Sequence, residues 1–234
     1  MRLLASAVIA SIALTLVPGC AGGDDPTPEE NAVGEGADAL TRYDVNRLLD
    51  DDDLLGGRDV TVAKVQALLD REGSYLARYK DRSGRSAASI IVEESREHGV
   101  SPVYMLARIQ VESSLVESGS SRGLSTATGC ACPDGGSCDR DEAGFAKQVA
   151  CAAELTQKYY AELARNGETR AGWAVGRSKR TLDPCAIRPA NKATAVLYTY
   201  TPWVGGSGKQ CGDRSVGGST LVARIFDKYD AALR

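Results

Sequence analysis

Residues 101–115 read SPVYMLARIQVESSL, and this segment decides the fold class. Ser101 followed by Pro102 predicts the start of a helix, because a serine side chain can cap the free N–H groups of the first turn and proline already has a helical φ. Apolar residues occupy almost every face of the next turns, up to about Ser113. Such a helix should be buried, and it therefore needs other elements packed around it.

The remainder of the chain contains mainly helical patterns. Apolar residues recur with a period of about 3.6 in five further segments, namely 62–72, 85–98, 143–166, 191–200 and 220–233. The segment 115–143 is rich in Gly, Ser and Cys and is predicted to be a loop, as are 173–189 and 205–218. Strand patterns are scarce. The predicted fold class is mostly α, with long functional loops.

Charge is unevenly distributed along the 234 residues, whose formal net charge is −3. From Leu54 onward there are 25 Lys and Arg against 20 Asp and Glu, so the body is slightly basic, which suits an anionic polymer. No dense basic stripe is interleaved with aromatics, so nucleic-acid binding is not expected. The acidic run 50–53 lacks the spacing and terminal Glu of an EF-hand, which favours a solvated helix end over a calcium loop.

The N-terminus predicts export. Arg2 precedes an apolar run over residues 3–17, a length typical of a signal peptide and short for a membrane span. The run ends in VPGC, and a small residue directly before Cys20 resembles the lipobox of bacterial lipoproteins. Residues 1–19 are therefore predicted to be a signal peptide, and acyl chains on Cys20 would anchor the protein to a bacterial membrane, facing the cell wall. The alternative is ordinary signal cleavage.

Residues 20–40 contain six acidic residues, no Lys or Arg and almost nothing to bury. Such a segment cannot offset the entropy cost of ordering, so we predict a disordered tether. Residues 41–234 have the size and composition of one globular domain. The sequence gives no prediction of oligomeric state.

Six cysteines lie in the predicted domain: Cys130, Cys132, Cys138, Cys151, Cys185 and Cys211. An even number in an exported chain predicts three disulfide bonds. Six cysteines allow fifteen pairings, of which the short Cys132–Cys138 loop closes easily. Cys185 and Cys211 bracket the C-terminal loop region and could pair, which would leave Cys130 for Cys151, but the sequence does not decide these two pairings. A zinc site is the alternative, but the spacing is not that of paired Cys-x-x-Cys motifs and the single histidine, His98, lies far away. No metal or cofactor is expected.

Glu112 is the candidate catalytic residue. A carboxyl group at the end of a strongly apolar segment is poorly solvated, which disfavours its charged form. A carboxyl group that stays protonated can act as a general acid, and glycosidic bond cleavage needs one because the leaving sugar oxygen must receive a proton. A glutamate at a helix end is more often a solvated terminal residue, so the surrounding motifs decide the interpretation.

Several short motifs occur in a defined order along the chain. They are GSYLA at 73–77, GRSAASII at 84–91, GVSP at 99–102, QVESSL at 110–115, TGCACPD at 128–134, CD at 138–139, GF at 144–145 and NKATAVLYTYTP at 191–202. Together these motifs resemble a family of exported bacterial proteins with a lysozyme-like domain, related to lytic transglycosylases. The resemblance covers about residues 61–204. It implies a lysozyme-like helical domain, with long disulfide-stapled loops, that cleaves peptidoglycan.

The resemblance also implies roles for individual residues. Glu112 would be the general acid and then the base, and Ser113 completes the Glu-Ser pair of lytic transglycosylases. Tyr198 and Tyr200 would line the cleft, where a phenol can orient an N-acetyl group, although at least one of them should be a core aromatic. Substrate contacts are further expected from Asn191, in the segment that resembles the far cleft wall, and from Trp203, which could stack on a sugar ring.

Only Glu112 is a convincing catalytic carboxylate, because the other candidates lie in a loop where solvated charges are usual. A lytic transglycosylase needs a single acid, since groups of the substrate assist. A non-catalytic peptidoglycan-binding or scaffold lipoprotein on the same fold is the main alternative, and a sugar hydrolase acting on another polymer is a further one. Serine-protease chemistry is not expected, because His98 has no partner in view.

Replacement of Cys20 should release the protein from the membrane. The Cys20→Ala chain lacks the thiol that would carry the acyl chains, so we expect misprocessing or recovery in the soluble fraction after cell fractionation. A variant that remains membrane-bound like the parent would show that the lipobox interpretation is wrong.

Overall fold

Residues 102–113 form the buried helix that their sequence predicts. In the computed structural model, which describes residues 43–57, 59–132, 138–205, 211 and 217–234, this helix begins after Ser101 and ends at Ser113. The Ser101 hydroxyl accepts from the N–H of Tyr104, and Pro102 occupies the first turn. Ser114 stops the helix in a left-handed conformation, with φ of 58°. The capping chemistry read from the sequence is thus confirmed.

Seven α-helices make up about half of the described residues and nearly all of their regular secondary structure. They are α1 (Asp51–Leu55), α2 (Val62–Arg71), α3 (Ala87–Glu97), α4 (Pro102–Ser113), α5 (Phe145–Asn166), α6 (Lys192–Tyr200) and α7 (Gly218–Leu233). Short 3₁₀ helices lie at Tyr75–Arg78, Leu124–Thr126 and Arg140–Glu142. The only strands described are β1 (Lys179–Arg180) and β2 (Ala186–Ile187), which pair antiparallel. The prediction of a mostly helical fold is confirmed.

Helix α4 is the centre of the packing. All of its residues from Pro102 to Ile109 are buried, and α7 and α3 pack against it. Helix α5, 22 residues long, packs against α3 and α6 and ends at Gly167, whose φ is 75°. Because α4 carries the candidate glutamate at its last turn, the core fixes where that side chain emerges.

The acidic run at 50–53 is a helix end, as predicted, but its carboxylates are not merely solvated. Asp51 begins α1, and its Oδ1 accepts from the N–H of Ala193, 2.8 Å away, in the first turn of α6. A carboxylate at this place satisfies a backbone N–H that a helix start otherwise leaves open. The run therefore joins α1 to α6.

The three predicted disulfide bonds are confirmed, as Cys130–Cys151, Cys132–Cys138 and Cys185–Cys211. Within the described residues, no group of three or more His, Cys, Asp or Glu side chains could hold a metal ion. No helix in the same part of the chain is long and apolar enough to cross a membrane. The predicted signal peptide, Cys20 and the predicted tether lie outside the described residues.

The disulfide bonds should contribute unequally to stability. Cys130 and Cys151 are 21 residues apart, whereas Cys132 and Cys138 are six apart. Loop-closure entropy predicts that the Cys130→Ser/Cys151→Ser pair lowers the free energy of unfolding by about 3 kcal/mol and the Cys132→Ser/Cys138→Ser pair by about 2 kcal/mol. Denaturant titration measures both, and thiol titration of the unreduced, denatured parent should find none of the six free. Equal losses, or two free thiols, would contradict this account.

Candidate active site

A cleft of about 700 Å³ lies beside the C-terminal end of α4. Its lining comes from a loop, from α5 and from the end of α6, and consists of Gly129, Cys130, Ala131, Cys132, Cys138, Asp139, Leu155, Tyr159 and Tyr200. This volume lies within the usual range for small-molecule sites. The Cys132–Cys138 bond forms part of the wall, so the predicted loop staple lies directly at the cleft.

Glu112 is not one of the residues that line this cleft, but its side chain lies against one of them, Gly129. Glu112 belongs to the last turn of α4, and its side chain is 29% exposed. A Cβ atom added at the cleft-lining Gly129 would lie 3.3 Å from its Oε2, so this oxygen faces the loop that forms the wall. The carboxyl group is thus partly exposed and lies against the loop that lines the cleft.

The other carboxylate oxygen faces a buried cation. Arg108, one helical turn earlier, has a side chain that is 1% exposed, and its Nη2 lies 2.9 Å from Oε1 of Glu112. The distance is short, but the two groups are not oriented for a hydrogen bond, and Nη2 has no hydrogen-bond partner among the described residues. We regard the contact as an ion pair. The carboxyl group therefore does not have the wholly apolar surroundings that the sequence predicts.

Arg108 and Tyr200 pack face to face. The guanidinium carbon lies 3.7 Å from the centre of the Tyr200 ring, and Nη1 donates to the hydroxyl of Thr201 at 3.1 Å. A cation over an aromatic face is attracted by the ring quadrupole. Tyr200 thereby lies near Glu112, as predicted, and it also lines the cleft.

The hydroxyl of Tyr200 fixes the cleft wall. It donates to the carbonyl oxygen of Thr128 at 3.0 Å, immediately before Gly129. Burial raises the pKa of Tyr200 to about 12, so the phenol remains a donor at neutral pH. The predicted contact between this hydroxyl and a substrate is therefore replaced by a contact with the backbone of the loop.

Ser113 also holds the loop. Its hydroxyl lies 2.8 Å from the carbonyl oxygen of Ile109 and 2.9 Å from that of Ala127. A serine hydroxyl has one proton to donate, and both neighbours here are acceptors. The predicted role of Ser113 in substrate binding is thus not supported by its contacts, which join the end of α4 to the cleft wall.

Gln148 is the main polar anchor of the same wall, and sequence analysis missed it. The residue is buried on α5, and its Nε2 donates to the carbonyl oxygens of Cys130 and Glu142, each at 2.9 Å. The hydroxyl of Thr128 donates to the backbone carbonyl oxygen of Gln148 at 2.9 Å. The only indication in the sequence is that the Gln148 amide stands among the inward-facing apolar residues of an amphipathic helix.

Two residues that were predicted to contact the substrate, Tyr198 and Asn191, make contacts within the fold instead. Tyr198 is fully buried, stacks on Trp173 with ring centres 5.1 Å apart, and donates to the carbonyl oxygen of Val45. Asn191 caps α6, accepting from the N–H of Thr194 at 2.9 Å. At 1.5 Å per residue, it lies about 13 Å from Tyr200 along the helix axis. Both side chains stabilise the fold and lie away from the Glu112 carboxylate.

Trp203 is exposed, which its predicted stacking on a sugar ring requires. It is 42% exposed, and it follows Thr201, the partner of Arg108, by two residues. The cleft lining as described does not include it, so it would act at the rim. Trp173, in contrast, belongs to the core.

The α5 side of the cleft was not predicted. Leu155 and Tyr159 are one turn apart on α5 and therefore share a face, which here lines the cleft. Asp139 is the carboxylate among the lining residues, but its Oδ1 accepts from the N–H of Asp141 at 2.8 Å and thus caps a 3₁₀ turn. Comparisons of the chain with protein-family models, with curated proteins and with solved structures found no match.

A methyl group at Gly129 should displace the Glu112 carboxylate. Gly129 has a φ of 67°, and Gly99, with a φ of 65° and no neighbour within 4 Å of an added Cβ, is the matched control. Alanine at either position should cost about 1–2 kcal/mol of stability, because both are left-handed. Only Gly129→Ala should shift the Glu112 carboxyl carbon resonance in ¹³C NMR spectra. An unshifted resonance in Gly129→Ala, or an equal shift in Gly99→Ala, would contradict the contact.

Proposed function

We propose that this protein cleaves the glycan strands of peptidoglycan with a lysozyme-like domain in which Glu112 is the general acid and then the base. The observation that supports this most directly is that Oε2 of Glu112 lies against Gly129, which lines a cleft of about 700 Å³. The choice of peptidoglycan as the substrate rests on the resemblance of residues 61–204 to the lysozyme-like family related to lytic transglycosylases.

The proposed reaction uses one protein carboxyl group. Protonated Glu112 gives its proton to the glycosidic oxygen, the bond from that oxygen to the anomeric carbon breaks, and positive charge develops on the sugar ring. The resulting carboxylate then takes a proton from the incoming nucleophile, which is water in hydrolysis or a hydroxyl group of the same sugar in transglycosylation. The capping role of Asp139 supports a mechanism with a single acid.

The rest of the cleft suits a carbohydrate. Tyr159 and Leu155 offer apolar surface from α5 against which a sugar ring can pack. Most backbone groups of the loop at 129–132 already have hydrogen-bond partners within the protein, so the loop contributes shape to the wall. Trp203 at the rim is exposed enough to stack on a further ring. In this proposal the acyl chains on Cys20 anchor the protein to the membrane, and the tether at 20–40 lets the domain reach the wall.

One observation favours the alternative, a non-catalytic peptidoglycan-binding or scaffold lipoprotein. Arg108 and Glu112 form an ion pair at i, i+4 on one helix, and such pairs also occur for purely structural reasons. A binding module would use the same cleft and the same aromatic residues. It would not depend on a proton at Glu112, so a change that removes only the proton separates the two functions.

Glu112→Gln should abolish cleavage and preserve wall binding. The amide keeps the shape of the side chain but cannot deliver a proton, and loss of a general acid typically lowers the rate by on the order of 10² to 10⁴. Release of soluble fragments from purified peptidoglycan measures cleavage, and co-sedimentation with the same material measures binding.

Asp139→Asn is the matched control, because it removes a carboxylate that lines the cleft itself. We expect it to retain activity within severalfold of the parent. A Glu112→Gln protein that cleaves like the parent would exclude Glu112 as the acid. A parent that binds the wall without cleaving it would favour the binding module.

A further inference from the structure

We propose that Arg108 is the positioning residue for Glu112, and that it stabilises the charge that appears on this carboxylate when the proton is given to the substrate. The inference rests on the proposed function, and it adds a residue to which the sequence assigned no role. It is carried by the contacts of one buried guanidinium group.

The first step is the cost of burying Arg108. A guanidinium group removed from water loses strong hydration, and this loss is recovered only by matched partners. Its side chain is 1% exposed, and its partners are the Thr201 hydroxyl, the Tyr200 ring and the Glu112 carboxylate. Of these, only Glu112 carries an opposite charge. The buried cation therefore restricts where the carboxylate can lie.

The second step concerns the different neighbours of the two carboxylate oxygens of Glu112. Oε1 lies 2.9 Å from Nη2 of Arg108, and Oε2 faces Gly129 in the cleft wall. A carboxyl group held on one oxygen presents the other in a fixed direction. Because Oε2 has no cation beside it among the described residues, it is the oxygen that would exchange a proton with the substrate.

The third step is the unused donor capacity of the guanidinium group. Neither Nε nor Nη2 of Arg108 has a hydrogen-bond partner within the part of the chain that the structure describes. A small rotation of the carboxylate or the guanidinium would convert the ion pair into a charge-assisted hydrogen bond. This interaction strengthens as negative charge grows on Glu112. Interactions that are stronger in the transition state than in the ground state are those that accelerate a reaction.

The fourth step is the link between the acid and the opposite wall. Arg108 packs on Tyr200, whose hydroxyl holds the carbonyl oxygen of Thr128. The next residue, Gly129, faces Oε2 of Glu112. The same side chain therefore sets the direction of the carboxylate and supports the tyrosine that fixes the wall against it.

The test uses Arg108→Met and Arg108→Lys in the mature full-length protein, each alone and combined with Glu112→Gln. Methionine fills similar space without charge, and lysine restores a cation without the planar donor group. For release of soluble fragments from peptidoglycan, Arg108→Met should lower kcat by on the order of 10²-fold and change the half-saturating wall concentration less than about threefold, because the lost interaction belongs to the transition state. Arg108→Lys should recover part of kcat.

Two comparisons separate positioning from a general structural role. In the Glu112→Gln background, Arg108→Met should cause no further loss of rate, because residues that act as a unit are not additive. Arg85→Met is the matched control, since Arg85 pairs with Asp81 and Glu94 away from the cleft, and it should leave kcat unchanged. Parental kcat in Arg108→Met, or an equal loss in both backgrounds, would overturn the proposal.

A second readout keeps this test separate from the test of function. The melting temperatures of the parent, the two single variants and the double variant form a cycle that needs no substrate. Coupling between Arg108→Met and Glu112→Gln supports the positioning contact even if the parent proves inactive, in which case the proposed function fails by itself. Additive shifts would overturn the positioning role. If Arg108→Met does not fold, Arg108→Lys takes its place in the cycle.

Discussion

The buried guanidinium group of Arg108 is the constraint on which the candidate site depends. A cation in the core must be matched, and here the match comes from a tyrosine face, a threonine hydroxyl and the carboxylate of Glu112. Helix α4 supplies both members of the ion pair, one turn apart. Because every residue of that helix from Pro102 to Ile109 is buried, the backbone that carries Arg108 cannot shift without repacking the core, while Glu112, at the more exposed end of the helix, can adjust to the guanidinium.

The opposite side of the site is a loop held by contacts of several kinds. Ser113 links it to α4, Tyr200 links it to α6, and Gln148 links it to α5. The Cys130–Cys151 bond adds a covalent link to the same helix. A loop with so many attachments can be held as firmly as a regular element, which suits its place against the carboxyl group of Glu112 that we propose to react.

The sequence predicted what depends on local pattern. The helix over 102–113, its serine cap and the Cys132–Cys138 bond follow from periodicity, capping chemistry and chain spacing, whereas the other two disulfide pairings were settled only by the fold. Tyr198 and Tyr200 show the limit of such reasoning: they are two residues apart on one helix, and only packing decides that Tyr198 enters the core while Tyr200 reaches the cleft. Arg108 was missed for a similar reason, because a charged residue within an apolar run does not reveal its partner.

The most direct test of the account is mass spectrometry of purified peptidoglycan after incubation with the protein. Cleavage of the glycan strand predicts soluble fragments with new sugar ends. Anhydro-sugar ends would identify transglycosylation, and ordinary reducing ends would identify hydrolysis. Peptidoglycan whose fragment masses are unchanged, at protein concentrations that saturate wall binding, would contradict the central claim that Glu112 and the cleft beside it cleave a glycan.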